Sequence, residues 1–471
     1  MKRRLRSDLP FRRIAVILSG GGALGAYETG VLRALGRVGL EPAIVAGASA
    51  GALNAVCWVV AGLRTESLEG VWRQIEPATI GMRWSTLVWR AAGAFFAVLG
   101  GFEVFLSIAG SPELGVATWV NGQGFESVGR GSAILDALAW AAVSAAGIFV
   151  LRGTRQTEEI LAWASEPGRG RLAHDGLTLV LMGWVVLHLV VWALAIPWPH
   201  RFSATLFAAA LVLWLASKPG RVGGWVRGLF SKLLPESRGR GLWGDDARRR
   251  VLEEVVAQGS PDRLMSGAPI LILTGLSLDT GRVAMFVAGS EPSDALHARA
   301  EAALGEVVAL RNAGEVIDAA VASSAIPMFF EPSLVHGREY IDAVALSNHP
   351  LRAALFADAD AALVVVVAPS AEPPSTQVPS TMVELWGRYL DIANWRDFQQ
   401  EIRALPEDWR ATTLPRRLCV VEPGRPLPGG VLAYSPGLAE ALMDRGETDA
   451  WRALDHAGWL EALTAPLEVA R

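Results

Sequence analysis

The sequence predicts an α/β fold with a parallel β-sheet and flanking helices, interrupted by a hydrophobic helical insertion. Three features of the 471 residues indicate this fold class. Residues 13–62 alternate short apolar runs with helical patterns, and Ala361–Ala368 is an unbroken apolar run, typical of a sheet covered on both faces. Between them, residues 81–240 contain long segments with few charges. We therefore expect 1–80 and 241–471 to form one domain around the insertion.

The first 80 residues contain two strand-to-helix units. Arg13–Leu18 is a β-branched run that ends in glycines, which indicates a buried strand, and Ala26–Val38 has apolar residues at helical spacing. Gly39–Pro42 breaks that helix. Ala43–Ala46 is a second short strand, and Ala50–Gly62 is predicted to be a helix. This order of elements is the one expected of a parallel sheet.

The predicted insertion, 81–240, contains four apolar segments. The clearest is Gly176–Ile196, in which His188 is the only titratable side chain; the others are Ser203–Ser217, Ala91–Gly110 and Ala133–Leu151. Runs of this length with few charges indicate transmembrane helices. Arginine and lysine are concentrated in the flanks that would then face the cytoplasm. We expect two or four crossings, and buried helices of a large core or a lid are the alternative.

After residue 240 the periodicities of an ordinary α/β domain return. We predict helices at Asp245–Val256, Val316–Ser323 and Thr381–Ile402, and strands at Pro269–Leu276 and Arg282–Val287 around the turn Asp279-Thr280-Gly281.

Composition limits the partners and cofactors. The net charge is −4, and no basic stripe with interleaved aromatic residues argues for nucleic acid. Cys57 and Cys419 are the only cysteines, which is too few for a disulfide framework or a zinc cluster. The sequence contains no H-E-x-x-H, C-x-x-C or EF-hand pattern. We therefore expect no metal and no cofactor, and the sequence does not indicate an oligomeric state.

A candidate nucleophile lies at the second strand-to-helix junction. Gly47-Ala48-Ser49-Ala50-Gly51 fits G-x-S-x-G, in which a sharp turn exposes a strained serine and small neighbours avoid clashes. The N–H groups and the dipole of the following helix favour negative charge at that serine. The alternative without function is a turn of small residues that leads into an alanine-rich helix.

A glycine-rich loop follows the first strand. Within Ser19–Gly25, the glycines Gly20, Gly21 and Gly22 leave backbone N–H groups uncovered, so the loop is a candidate oxyanion hole. Gly20, Gly22 and Gly25 also fit the dinucleotide pattern G-x-G-x-x-G. That reading requires an acidic residue at the end of the second strand, where Ser49 stands instead, and the sequence therefore disfavours it.

An aspartate in the C-terminal part completes the candidate site. Asp342 ends a short apolar segment, although a lone loop aspartate is more often a turn cap. Together, Gly20–Gly25, Gly47–Gly51, Ala322–Pro327 and Asp342 resemble the patatin-like phospholipases. The resemblance covers about residues 1–80 and 241–471.

This resemblance implies a three-layer α/β fold and a Ser–Asp dyad without histidine. Ser49 would attack the ester carbonyl, with Asp342 as the base that assists its deprotonation. The amides of Gly20, Gly21 and Gly22 would form the oxyanion hole, and water would cleave the acyl-enzyme. Gly47 and Gly51 would form the nucleophile elbow around the serine.

Two residues depart from the family pattern. Ala343 stands where the family usually has glycine, and alanine would be strained if a left-handed conformation were required there. Leu24 stands where the glycine loop often carries a basic residue. A Ser–His–Asp triad that uses His349 or His456 is the alternative to the dyad.

We expect a bacterial, multi-pass enzyme of the inner membrane that cleaves lipid esters of the inner leaflet. An even number of crossings lets Ser49 and Asp342 meet on one side, and the positive flanks make that side cytoplasmic. One alternative is a catalytically weak or inactive patatin-like membrane scaffold or lipid-binding protein, an outcome that Ala343 keeps open. Another is a soluble thioesterase or protease whose apolar helices form its core.

Overall fold

The computed structural model describes residues 9–81 except 78, scattered residues between 93 and 148, 241–370 except 345, and 382–464. The chain divides into two compact units, residues 1–82 with 243–471, and residues 83–242. Strands and helices within the described residues are numbered in chain order.

The strands are β1 (Ile14–Leu18), β2 (Ile44–Ala48), β3 (Gly241–Trp243), β4 (Ile270–Ser277), β5 (Val283–Ala288), β6 (Gly305–Ala309), β7 (Met328–Phe330), β8 (Ser333–Val335), β9 (Arg338–Ile341), β10 (Ala361–Val365) and β11 (Leu418–Val421). The helices are α1 (Ala26–Val38), α2 (Ala50–Val60), α3 (Glu66–Gln74), α4 (Asp246–Gln258), α5 (Asp294–Ala302), α6 (Ala313–Ser323), α7 (Leu351–Phe356), α8 (Met382–Ala404), α9 (Pro436–His456) and α10 (Trp459–Thr464). The strands and helices predicted outside the insertion are confirmed, with bounds that differ by a few residues at most.

The described strands form a mixed sheet in the order β11-β10-β1-β2-β4-β5-β6, with β9 beside the end of β4. The five strands from β11 to β4 are parallel. The sheet is mixed because β5, which follows the predicted turn, and β9 both run antiparallel to β4. The physical reason at β5 is the short connection, 278–282, because a parallel crossover requires a dozen or more residues.

Helices cover both faces of this sheet. In β1, Val16 and Leu18 belong to an apolar cluster that includes side chains of α1, α2 and α9. The alternate residues Ala15 and Ile17 belong to a second cluster, with side chains of α5 and α7 and with Phe398 of α8. The alternation explains why β1 has no polar residue, since a strand buried on both faces exposes no side chain to water.

Helices α1 and α9 approach each other closely because each has a glycine at the contact. A Cβ atom on Gly30 would lie 1.8 Å from the carbonyl oxygen of Met443, and one on Gly446 would lie 1.9 Å from that of Tyr27. Gly36, also in α1, has no atom within 4 Å of the corresponding position. The two glycines of α1 therefore differ in role: Gly30 permits close packing, whereas Gly36 has open space where a Cβ atom would lie.

We expect Gly30→Ala to lower the free energy of unfolding by about 1–3 kcal/mol, because the added methyl group forces the two helices apart. The matched variant Gly36→Ala should raise it by up to about 1 kcal/mol through helix propensity. Thermal and denaturant unfolding of the full chain in detergent measure both changes. Equal effects of the two substitutions would show that the α1–α9 contact does not depend on Gly30.

The unit formed by residues 83–242 is described only in part. The described residues between 93 and 148 are helical, and Ser144 Oγ donates a hydrogen bond to Ala97 O at 2.9 Å. No helix among the residues that the structure describes combines the length and apolar character needed to cross a membrane. The predicted segments Gly176–Ile196 and Ser203–Ser217 lie outside the described residues, as do most of Ala91–Gly110 and Ala133–Leu151.

Candidate active site

Ser49 lies at the sharp turn between β2 and α2, with φ 52° and ψ −122°. This backbone conformation is rare for a residue with a side chain and is strained. The glycines on either side permit it, because a Cβ on Gly47 would lie 2.5 Å from Gly51 O, and one on Gly51 would lie 2.4 Å from Leu18 O. The Ser49 N–H donates to Ser323 Oγ at 2.9 Å. The turn is therefore built to hold one serine in one orientation.

Asp342 directly follows β9, and the sheet brings it to Ser49. Ile341 pairs with Leu276 at the end of β4, the strand next to β2. The carboxyl group of Asp342 is buried next to the Ser49 side chain and the backbone N–H of Val344, and its Oδ2 has no hydrogen-bond partner among the described residues. Burial raises the pKa of Asp342 to about 7, although Ser49, the Val344 N–H and the charge of Arg248 oppose the rise. A carboxyl group with this pKa can exchange a proton near neutral pH.

The backbone at Ala343 is not strained, because this residue does not adopt a left-handed conformation. Its φ is not among the positive values found in the described residues, and its side chain is buried. The carbonyl oxygen of Ala343 accepts from the N–H groups of Leu346 and Ser347, at 2.7 and 2.9 Å. This turn accommodates a Cβ, so the substitution of the family's usual glycine is tolerated by the backbone.

The glycine loop between β1 and α1 is clamped by a second loop. Gly20 N–H donates to Asn348 O at 3.1 Å, and Asn348 Nδ2 donates back to Gly20 O at 3.0 Å. Gly22 has φ 55°, and a Cβ there would lie 2.1 Å from Val431 O. Among the described residues, the N–H groups of Gly21 and Gly22 have no acceptor. Of the three predicted oxyanion donors, Gly21 and Gly22 are therefore open, whereas Gly20 already has a partner.

A buried polar network supports both ends of the same loop. Asn54 Nδ2 donates to Gly25 O at 2.9 Å and to Glu28 Oε2 at 2.8 Å. Asn54 Oδ1 accepts from Trp72 Nε1 at 3.0 Å, and the backbone of Ser19 hydrogen-bonds to Glu28. Burial raises the pKa of Glu28 well above its ordinary value. The sequence gives no other sign of this network than Glu28, an acidic residue on an otherwise apolar helix face.

Of the histidines proposed for a triad, one is paired with a different carboxylate and the other is exposed. His349 is buried, and its Nδ1 lies 2.9 Å from Oδ2 of Asp397 in α8. The same carboxylate accepts from the backbone N–H groups of Asn348 and His349. His456 is exposed at the end of α9. The pair of His349 and Asp397 thus anchors the loop that clamps Gly20, and the carboxyl group beside Ser49 is that of Asp342.

A small, mostly apolar cavity of about 60 Å³ lies against Ser49. Leu53 and Phe330 are among its apolar walls, and Arg248 and Tyr434 are among its polar ones. Burial raises the pKa of the Tyr434 hydroxyl. The charges of Arg248 and Asp342 also act on this pKa, the first lowering it and the second raising it. Sequence reasoning identified neither of these two residues. Among the described residues, no group of histidine, cysteine or acidic side chains could hold a metal ion.

The fold and this geometry define an α/β protein with a strained serine, an open pair of backbone amides and a buried aspartate at one edge of the sheet. The chain matches the family model described as "Patatin-like phospholipase" over residues 16–103 and 185–355, which is more than half of its length. It therefore belongs to the patatin-like phospholipase family, and it is a lipid hydrolase at the level of that family. The unmatched stretch, 104–184, lies within the predicted insertion.

Among solved structures, the chain is similar to the crystal structure of VipD from Legionella pneumophila. The two are 12% identical with a TM-score of 0.36, over 94% of this chain and 67% of that chain. A likeness of this strength bears on neither fold nor function. No curated protein matches the chain significantly.

Proposed function

We propose that the protein is a serine acyl hydrolase that cleaves lipid carboxylic esters through an acyl-enzyme on Ser49. The observation that carries this proposal is the strained serine whose side chain lies next to the buried carboxyl group of Asp342. A serine is a weak nucleophile until an adjacent base accepts its proton. The mostly apolar cavity beside Ser49 supports an acyl group at this position.

The residues divide the reaction between them. Asp342 takes the proton of Ser49 Oγ as this oxygen bonds to the ester carbonyl carbon. The carbonyl oxygen becomes an oxyanion, and the N–H groups of Gly21 and Gly22 are the open donors for it. Collapse of this intermediate expels the alcohol, which takes the proton held by Asp342. A water molecule then attacks the acyl-enzyme, with Asp342 again as base, and releases the fatty acid and free Ser49.

Labelling of the wild type with a fluorophosphonate tests this proposal. We expect one adduct, located by peptide mass spectrometry at Ser49. The second-order rate of labelling should rise with pH up to about 7 and then level off, because the pKa of Asp342 is raised to about 7 and only its ionised form accepts a proton. Absence of an adduct on well-folded protein at pH 8 would instead support the inactive scaffold or lipid-binding protein.

We also propose that the protein resides in the inner membrane, with this site on the cytoplasmic side. The support is the sequence of residues 81–240, whose apolar segments and positive flanks are typical of membrane crossings. The substrate would then be a lipid ester of the inner leaflet. Sedimentation with membranes after an alkaline carbonate wash tests the location, and recovery of the protein in the supernatant would favour a soluble hydrolase.

A further inference from the structure

Arg248 is a buried cation next to the site, and the reaction described above gives it no part. It lies in the first turn of α4, is 3% exposed, and stacks on the ring of Phe330 at 3.8 Å. Among the described residues it forms no ion pair, and its Nε and Nη2 have no hydrogen-bond partner. A buried charge without an oppositely charged partner in contact is costly. Other polar contacts must therefore offset the loss of hydration.

The hydrogen bonds of Arg248 converge on the end of α6. Its Nη1 donates to Ser324 Oγ at 2.8 Å and to Val321 O at 3.3 Å, and also to the carbonyl oxygen of Ser324. These contacts join the first turn of α4 to the last turn of α6. A guanidinium group is suited to this task because its donors are held in a rigid plane.

The segment that Arg248 holds also supports the backbone of both reacting residues. Ser323 Oγ accepts from Ser49 N–H at 2.9 Å. Ala325 O accepts from Asp342 N–H at 3.0 Å. A shift of residues 323–325 would therefore change the positions of Ser49 and Asp342 relative to each other. Misplacement by about 1 Å can cost about a hundredfold in rate.

Charge gives Arg248 a second effect. Burial lowers the pKa of Arg248 only to about 10, so it remains a cation at neutral pH. Its charge opposes the rise in the pKa of Asp342. Tyr434 is the other titratable group near both of them, and Asp245 and Arg249 are near Arg248. An opposite charge close to a buried carboxylate favours the ionised form.

We propose that Arg248 is a positioning residue for the reaction at Ser49: it fixes the segment 323–325 that holds Ser49 and Asp342, and its positive charge balances the carboxylate of Asp342. This inference rests on the proposed acyl hydrolase function. It assigns a role to the first of three consecutive arginines, Arg248 to Arg250. Arg249 provides a matched comparison, because its guanidinium instead pairs with Asp318 and Asp245.

The test is the pH profile of fluorophosphonate labelling for full-length Arg248→Gln, Arg248→Lys and Arg249→Gln in detergent. For Arg248→Gln we expect a plateau rate at least about tenfold lower and a midpoint about one pH unit higher. Arg248→Lys retains the charge, so its midpoint should stay near that of the wild type while its rate falls. Arg249→Gln should leave both values unchanged.

A second measurement reports on position without requiring activity. Hydrogen exchange of peptides that contain Ser49 and Asp342 should be faster in Arg248→Gln than in Arg249→Gln. An unshifted midpoint and wild-type exchange in folded Arg248→Gln would overturn the inference while the proposed function stands. If Arg248→Gln does not fold, Arg248→Lys decides the test. A labelling rate equal to that of the wild type at every pH, together with unchanged hydrogen exchange, would then overturn the inference. A wild type that is never labelled overturns the proposed function, and with it the role of Arg248 in the reaction.

Discussion

Replacement of Ser49 by alanine is expected to abolish both fluorophosphonate labelling and ester hydrolysis. The substitution removes the only atom that can form the acyl-enzyme, and leaves the amides of Gly21 and Gly22 in place. In serine hydrolases, loss of the nucleophile typically lowers kcat by about 10⁶-fold. Labelling should fall to the background of the method, and hydrolysis of a chromogenic ester to the rate without protein.

The matched control for this variant is Ser290→Ala. Ser290 is exposed, and its Oγ donates a hydrogen bond to the adjacent Glu291 O at 3.3 Å. This variant should be labelled like the wild type. Persistent labelling of folded Ser49→Ala, with an adduct on another residue, would show that Ser49 is not the nucleophile and would remove the basis of the proposed mechanism.

Backbone strain at Ser49 provides an independent measurement on the same position. Alanine must adopt the same conformation, φ 52° and ψ −122°, and so retains the strain, whereas glycine tolerates it. Ser49→Gly should therefore be as inactive as Ser49→Ala, yet more stable by about 1–3 kcal/mol. Equal stability of the two variants would mean that the turn relaxes when the serine is lost.

The local elements of the fold could be predicted because their causes are local. Ala26–Val38 was predicted with the observed bounds, since Gly39 provides a left-handed end, with φ 69°. The order of the strands depends on pairing between distant segments and is not visible in periodicity. Nothing in Arg338–Ile341 predicts that it runs antiparallel to β4. That pairing is what carries Asp342 to Ser49, and from the sequence it was inferred only through the family resemblance.

Arg248 illustrates why part of the site escaped prediction. Three consecutive arginines on a charged amphipathic helix are usually a solvated face. The structure buries the first of them, together with Leu252, Val255 and Val256. These positions are i, i+4, i+7 and i+8, the apolar stripe of a helix. An arginine in register with such a stripe is thus the sequence signal for a buried cation, although its partners on α6 lie more than 70 residues away.

Replacement of Asp342 by asparagine is expected to have the second largest effect on rate. Asparagine has the shape of aspartate and can still hydrogen-bond to Ser49, but it cannot accept the proton of the hydroxyl group. We expect the labelling rate to fall by about 10⁴-fold, the effect seen when the aspartate of a triad is replaced by asparagine. Asp262→Asn, at an exposed carboxyl group in the turn after α4, is the control and should be labelled normally.

The same variant should be more stable than the wild type at high pH. Burial raises the pKa of Asp342 from 3.8 to about 7, so the folded state holds its proton more tightly than the unfolded state does. Stability of the wild type therefore falls relative to Asp342→Asn as pH rises from about 4 to 7, and the difference is complete above about pH 7. Asparagine carries no charge, so the variant escapes this penalty of a few kcal/mol, at about 1.4 kcal/mol per pH unit.

We expect Tm of Asp342→Asn to exceed that of the wild type by several degrees at pH 8, and the difference to vanish near pH 4. A lower Tm for the variant at pH 8 would show that the carboxylate of Asp342 is not desolvated. Wild-type labelling of the variant would show that Asp342 is not the base for Ser49.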